Sequence, residues 1–142
     1  MVLIDVNVFV YAHRRDSLNH RAYRRWVEDC VNGEEAYGMA DLVLSAFLRI
    51  VTHPGIFKSP SRLEDALRFA GEVRSPANCV LIAPGARHWD IFTRLCREAG
   101  TKGNLVHDAY LAALAIESGS EWITTDRDYA RFAGLRWRHP LN

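Results

Sequence analysis

Short apolar runs alternate with longer amphipathic segments along the chain. Runs of three to five residues rich in Val, Ile and Leu predict β-strands, and segments with apolar residues every three or four positions predict α-helices. Strands are predicted at residues 2–5, 36–40, 79–83, 121–125 and 135–138, and helices at 6–13, 20–31, 61–73, 86–100 and 104–119, with a further helix that starts at Asp41 and a short one in "DRDYARFAG". This alternation predicts an α/β fold in which helices sandwich a parallel sheet.

Polar residues at three of the predicted helix starts are candidate N-caps. Asp41 precedes an apolar helix that a Pro-Gly pair stops, and Asn104 precedes the longest apolar stripe in the chain. Ser61 forms an S-x-x-E capping box with Glu64. We therefore expect these three side chains to accept hydrogen bonds from the first turns of their helices.

The composition is that of one ordinary globular domain over residues 1–142, with 49% hydrophobic and 25% charged residues. A formal net charge of +1 excludes a histone-like binder, so any nucleic-acid contact must come from a local basic patch. Three widely spaced cysteines and histidines without HxxxH or HExxH spacing argue against a disulfide framework and a zinc site. With no signal segment and no apolar run near the ~20 residues of a membrane helix, we expect a cytoplasmic protein without membrane contact.

Two aspartates directly follow predicted strands. Asp5 ends the first apolar strand, and Asp126 follows "EWITT". Because the carboxyl ends of parallel strands meet at one edge of a sheet, where ligand sites form, both carboxylates are candidates for one site. Each also has a local explanation as the N-cap of the next helix, a position that Asp fills well.

Asp108 lies on the apolar face of its predicted helix, since Leu111 and Ala112 stand three and four positions further on. The helix N-terminus stabilises an anion by only ~0.3–1 kcal/mol, whereas burial of an unpaired ion costs several kcal/mol. No Lys or Arg shares this stripe, so a metal ion is the simplest partner, and a neutral or hydrogen-bonded core aspartate is the alternative. Converging carboxylates without His or Cys suit Mg²⁺, with Mn²⁺ as a substitute, and such ions serve phosphodiester chemistry.

The chain resembles the PIN-domain family, in particular the VapC toxins of bacterial toxin–antitoxin pairs that are abundant in mycobacteria and other actinobacteria. The resemblance covers almost the whole length and rests on four stretches in order: "LIDVNVFVYA", "LVLSAFLRIVTHP", "GNLVHDAYLAALAIE" and "WITTDRDYARFAGLRW". It implies a metal-dependent endoribonuclease built as a three-layer sandwich. A parallel sheet of about five strands would carry helices on both faces and acidic residues at its carboxyl edge.

The resemblance also assigns individual residues. Asp5, Asp108 and Asp126 match the family aspartates, and are therefore the expected catalytic and metal-binding residues. Asp128 matches an extra acid that some members carry, and Thr125 matches a hydroxyl residue that positions ligands or metal-bound water.

One position departs from the family pattern. A glutamate is usual early in the third helix, and Ala46 stands there, so one Mg²⁺ held by Asp5, Asp108 and waters is expected. The loss leaves open a catalytically silent PIN-like domain that binds RNA or a protein partner. An aspartate-nucleophile phosphatase of the haloacid dehalogenase type is disfavoured, because it needs an aspartate where Asn7 stands; Asn7 is itself a further candidate site residue.

Arginines dominate the basic residues, with only two lysines in the chain, and suit phosphate contacts, although a GC-rich genome would produce the same bias. Arg14 and Arg15 close the short helix that starts at Asp5, and with Arg49 they are the candidate RNA-binding residues. The family resemblance further implies a VapB-type antitoxin that binds across the active-site groove, and a homodimer.

Overall fold

The computed structural model describes all residues from 1 to 142. Five strands form one sheet: β1 (Val2–Ile4), β2 (Tyr37–Met39), β3 (Cys79–Leu81), β4 (Glu121–Ile123) and β5 (Trp137–Arg138). Six α-helices and one 3₁₀ helix connect them: α1 (Val6–His13), α2 (His20–Asn32), α3 (Asp41–Val51), α4 (Leu63–Arg74), α5 (His88–Ala99), α6 (Asn104–Glu117) and the 3₁₀ helix Arg127–Arg131. None of these helices is long and apolar enough to cross a membrane.

All strand pairs are parallel, and the order in the sheet is β3-β2-β1-β4-β5. The chain moves outward from β1 to β3 through α1 to α4, then returns through α5 and α6 to β4 on the other side of β1. Because crossovers between parallel strands are right-handed, the two groups of helices cover opposite faces. The predicted parallel α/β sandwich is confirmed, and the strand order reverses between β1 and β4.

The core lies along these two central strands. Leu3, Ile4, Trp122 and Ile123 are each at most 2% exposed. Consecutive strand residues are buried because helices cover both sheet faces, so these strands are continuous apolar runs rather than alternating ones. The carboxyl ends of β1 and β4 therefore emerge side by side from the centre of the domain.

The predicted capping contacts are wrong at all three helices. Asp41 is the first residue of α3 and instead pairs with Arg74 on α4 at 2.7 Å. Ser61 lies outside α4, and its hydroxyl is 2.9 Å from the His13 ring. Asn104 is the first residue of α6, and the residue before it holds the N-cap position. In the first two cases the polar side chain binds a residue that is distant in the sequence, and so it makes no capping hydrogen bond to its own helix.

Candidate active site

Asp5 is held at the junction of β1 and α1. It is the N-cap of α1, and its Oδ1 accepts the Val6 backbone N–H at 2.7 Å. Its Oδ2 accepts the Thr124 hydroxyl at 2.6 Å and the Asn7 amide at 3.2 Å. The side chain is only 3% exposed. The N-cap interpretation of Asp5 is therefore confirmed, and the same carboxylate remains a candidate for the site.

Asp126 occupies the matching position after β4. It is the N-cap of the 3₁₀ helix, and its Oδ1 accepts the Asp128 backbone N–H at 2.9 Å. Its own N–H donates to the Thr124 hydroxyl at 3.0 Å. Asp128 is exposed and lies 3.4 Å from Arg131 in an ion pair. The Thr124 hydroxyl thus joins the ends of β1 and β4.

Asp108 approaches from α6, one turn inside the helix. It is partly buried, and its Oδ1 accepts the Tyr129 hydroxyl at 3.3 Å. A crevice of about 190 Å³ is lined by Asp5, Asp108 and Asp126 together, with α3 contributing one wall. The structure therefore brings all three predicted carboxylates into one crevice at the point where the strand order reverses, which is where ligand sites form in such sheets.

The other side chains of the crevice come mainly from α3 and α6. Ala46 lies on the α3 wall, so the position where a glutamate is usual adds no charge. Arg49 stands one turn further along α3, exposed and without an ion pair, and His107 stands beside Asp108. The crevice thus combines one buried and two partly buried carboxylates with the exposed side chains of Arg49 and His107.

The negative charges of the three carboxylates repel one another, and this repulsion raises pKa values at the site. Burial raises the pKa of Asp5 from about 3.8 to about 6; the Thr124 and Val6 hydrogen bonds oppose this rise, and the charges of Asp108 and Asp126 add to it. Burial and the charge of Asp126 also raise the pKa of Asp108, and the Tyr129 hydrogen bond lowers it. No Lys or Arg forms an ion pair with any of the three. A bound cation would relieve this cost.

The donor set fits a hydrated divalent cation. The carboxylates of Asp5, Asp108 and Asp126 line the crevice without a cysteine, and carboxylate oxygens suit Mg²⁺ or Mn²⁺ rather than zinc. No three His, Cys, Asp or Glu side chains are close enough to hold one ion together. Mg²⁺ commonly keeps several waters and binds through one or two carboxylates. Asp5 and Asp108 fit this arrangement, because burial raises the pKa of both carboxyl groups and neither has a cationic partner within the chain.

Thr124 is the site residue that the sequence did not reveal. Its side chain is fully buried and bonds to Asp5, whereas Thr125 offers only its backbone N–H to Asn7 at 3.4 Å. The Asn7 amide also reaches the Thr124 hydroxyl at 3.4 Å. The sequence shows two threonines directly before Asp126, but it does not tell which of their side chains faces the carboxylates.

Arg14 and Arg15 do not reach the crevice. They follow the opposite end of α1 from Asp5, roughly 13 Å away along the helix axis. Both line a larger groove of about 680 Å³ that contains none of the three carboxylates. Arg14 is buried, bonded to Asp16 and to the Ser59 carbonyl, and stacked on the Phe57 ring. Arg49 is the one candidate arginine that the fold brings to the site.

The fold and the site define a class of protein: a parallel α/β domain with an acidic crevice at its topological switch point. A PIN-domain family model matches residues 2–135, and the chain belongs to the PIN-domain family. VapC ribonuclease Mb2897 of Mycobacterium bovis is 41% identical over 142 residues, which are 100% of this chain and 97% of that protein. Ribonuclease VapC25 of Mycobacterium tuberculosis is 39% identical over 140 residues, or 99% of each chain.

Solved structures with low sequence identity share the fold. The VapBC2 complex of Rickettsia felis, bound to a DNA fragment from its promoter, contains a chain with a TM-score of 0.70 at 19% identity, covering 98% of both chains. Mycobacterium tuberculosis VapC20, a toxin that cleaves the sarcin-ricin loop, has a TM-score of 0.67 at 14% identity, covering 96% of this chain and 99% of its own.

Proposed function

We propose that this protein is a Mg²⁺-dependent endoribonuclease that acts as the toxin of a VapBC-type toxin–antitoxin pair. The observation that carries the proposal is the convergence of Asp5, Asp108 and Asp126 in one crevice, where no Lys or Arg forms an ion pair with any of them. Relatives at 37–41% identity over nearly the whole chain are named VapC ribonucleases, which supports the same chemistry here.

The proposal gives each carboxylate a role. Asp5 and Asp108 hold the cation, and Thr124 and Asn7 orient Asp5 through their hydrogen bonds. When bound, Mg²⁺ supplies an activated water and neutralises charge that develops on the phosphodiester, and Mn²⁺ would serve the same purpose. Asp126 uses only Oδ1 within the chain, so its Oδ2 is free to accept a proton from water at the crevice.

Arg49 is the proposed phosphate contact. It is exposed on the α3 wall of the crevice and has no carboxylate partner, so its guanidinium remains available to a phosphate oxygen. Asp128 lies outside the crevice lining and is paired with Arg131, so we assign it no direct role in catalysis.

We further propose a VapB-type antitoxin and a second copy of this chain as protein partners. The VapBC complexes among the structural neighbours support the antitoxin. The exposed side chains of Leu42 and Leu81 line one apolar hollow suited to self-association, and Leu42 also lines the crevice. An RNA substrate and three free cysteines suit activity in the cytoplasm.

Cleavage of a structured RNA by the antitoxin-free protein tests the ribonuclease proposal. We expect cleavage that requires Mg²⁺, stops with EDTA, and is lost in Asp5→Asn and Asp108→Asn. Asp29→Asn is the matched control, because Asp29 is an exposed aspartate of α2 that lies outside the crevice and makes no side-chain hydrogen bond or ion pair. Cleavage that survives in Asp108→Asn would contradict the proposal.

Ala46 favours one second candidate, a PIN domain that binds RNA without cutting it. The missing glutamate removes one charge from the crevice wall. This candidate predicts retained RNA binding with no Mg²⁺-dependent cleavage in the parent protein, so the same assay distinguishes the two functions.

A further inference from the structure

Hydrogen bonds at Thr124 and Tyr129 tie together the three residues that carry the carboxylates. The Thr124 hydroxyl donates to Asp5 and accepts the Asp126 N–H, at 2.6 and 3.0 Å. The Asp126 carbonyl accepts the Tyr129 backbone N–H at 3.4 Å, and the Tyr129 hydroxyl donates to Asp108 Oδ1 at 3.3 Å. The elements that carry the three carboxylates are thus tied together by the protein itself, and Tyr129 is the link to α6.

Tyr129 is fixed in position by its surroundings. It lies in the 3₁₀ helix that Asp126 begins, and it is 2% exposed. Its ring packs against Trp122 and Phe132, with centroid distances of 5.4 and 5.8 Å. A buried ring with two aromatic neighbours has little rotational freedom, so its hydroxyl is a rigid donor aimed at Asp108.

Resting on the proposed function, we propose that Tyr129 is a positioning residue, whose hydroxyl holds the Asp108 carboxylate in the orientation that binds the divalent cation beside Asp5.

The physical reason is that Asp108 has no other donor. Asp5 accepts three hydrogen bonds, whereas the Tyr129 hydroxyl is the only group in the chain that donates to the Asp108 carboxylate. Asp108 is also partly exposed, and Asp126 repels it. Without the phenol, its side chain would be free to rotate away from Asp5. Loss of an outer hydrogen-bond partner of a metal ligand typically costs about 10- to 100-fold in metal affinity.

Titration of Mn²⁺ into metal-free protein, followed by calorimetry, tests this role in the Tyr129→Phe variant. The substitution keeps the ring and removes only the hydroxyl. Tyr37→Phe is the matched control: Tyr37 is equally buried, and its hydroxyl donates to the Val73 carbonyl at 2.7 Å, outside the crevice lining. Each variant loses one hydrogen bond of a buried tyrosine hydroxyl. Thermal unfolding of both variants therefore measures how much stability this loss removes, apart from any effect on Mn²⁺ binding.

We expect Tyr129→Phe to weaken Mn²⁺ binding by about 10- to 100-fold and Tyr37→Phe to leave it unchanged. Parent-like affinity in Tyr129→Phe would overturn the inference and leave the proposed function intact. Equal weakening in both tyrosine variants would also overturn it, because lost stability would explain the change. A parent protein that binds no Mn²⁺ would overturn the proposed function and this inference with it.

Discussion

The Thr124 hydroxyl donates a 2.6 Å hydrogen bond to Oδ2 of Asp5, across 119 positions of sequence. The same hydroxyl accepts the Asp126 N–H at 3.0 Å. One fully buried side chain therefore joins the Asp5 carboxylate to the backbone of Asp126, at the ends of neighbouring strands. This contact explains why Asp5 keeps one orientation although burial disfavours its charge.

Thr124→Val should disable the site while keeping the shape of the side chain. The change removes a hydrogen bond to a buried carboxylate, so we expect a loss of about 1–3 kcal/mol in unfolding free energy. We also expect RNA cleavage to fall by about 10- to 100-fold, because Asp5 loses the partner that orients it. Urea denaturation and a cleavage assay measure the two effects.

Thr125→Val tells which of the adjacent threonines serves the site. The Thr125 side chain makes no hydrogen bond within the chain, so this variant should cleave RNA far better than Thr124→Val. A larger loss of cleavage in Thr125→Val would contradict the role given to Thr124.

Asp5 should make the metal-free protein less stable as pH rises. The pKa of Asp5 is about 6 in the folded protein and about 3.8 when exposed. Between these values the unfolded chain has released a proton that the folded protein retains, so stability falls as pH increases from 4 to 6. The total effect is about 3 kcal/mol, at ~1.36 kcal/mol per pKa unit.

Urea denaturation in EDTA, at pH values from 4 to 7.5, isolates this effect by comparing the parent protein with Asp5→Asn. The asparagine variant lacks the titrating group. The unfolding free energy of Asp5→Asn minus that of the parent protein should therefore increase as pH rises across this range. A difference that stays constant with pH would show that Asp5 titrates at its ordinary pKa.

We expect the Arg14 side chain to contribute to folding stability and not to RNA cleavage. Its guanidinium holds the segment between α3 and α4 through the Ser59 carbonyl and the Phe57 ring. We expect Arg14→Gln to reduce the unfolding free energy by about 1–3 kcal/mol without changing kcat/KM at a temperature where it is folded. Weaker RNA cleavage with unchanged stability would restore Arg14 as a substrate contact.

We expect the Arg49 side chain to contribute to RNA binding and not to folding stability. It is exposed and unpaired, so Arg49→Gln is expected to change stability by no more than ~0.5 kcal/mol. Loss of one phosphate contact to single-stranded RNA should reduce the slope of log K against log salt by about 0.7. Filter binding over a salt series measures this slope, with Arg25→Gln on α2 as the control. Equal slopes for the two variants would rule out the contact.

Much of this architecture was predictable because the strands and helices have strong local signals. Apolar runs such as Val2–Ile4 and the stripe of α6 identified their elements, and parallel topology then placed Asp5 and Asp126 at one sheet edge. Asp108 was recognisable because a carboxylate within an apolar stripe needs a partner.

The sequence was less informative where a distant partner decides the contact. Ser61 and Asp41 have the composition of N-caps, but His13 and Arg74 bind their side chains instead. The orientation of Thr124 was unpredictable for a related reason, since β4 is buried on both faces and shows no alternation to fix which residue points inward. Asp5 is the N-cap of α1 and Arg14 follows its last residue, so the length of α1 separates Arg14 from the carboxylates.

The binding of one cation between Asp5 and Asp108 is the central claim, and calorimetric titration of Mn²⁺ into the antitoxin-free protein tests it most directly. We expect saturable binding at one site per chain that Asp5→Asn and Asp108→Asn each abolish, with Asp29→Asn as the unchanged control. Saturable binding that survives both substitutions, or no binding to the parent protein, would contradict the claim.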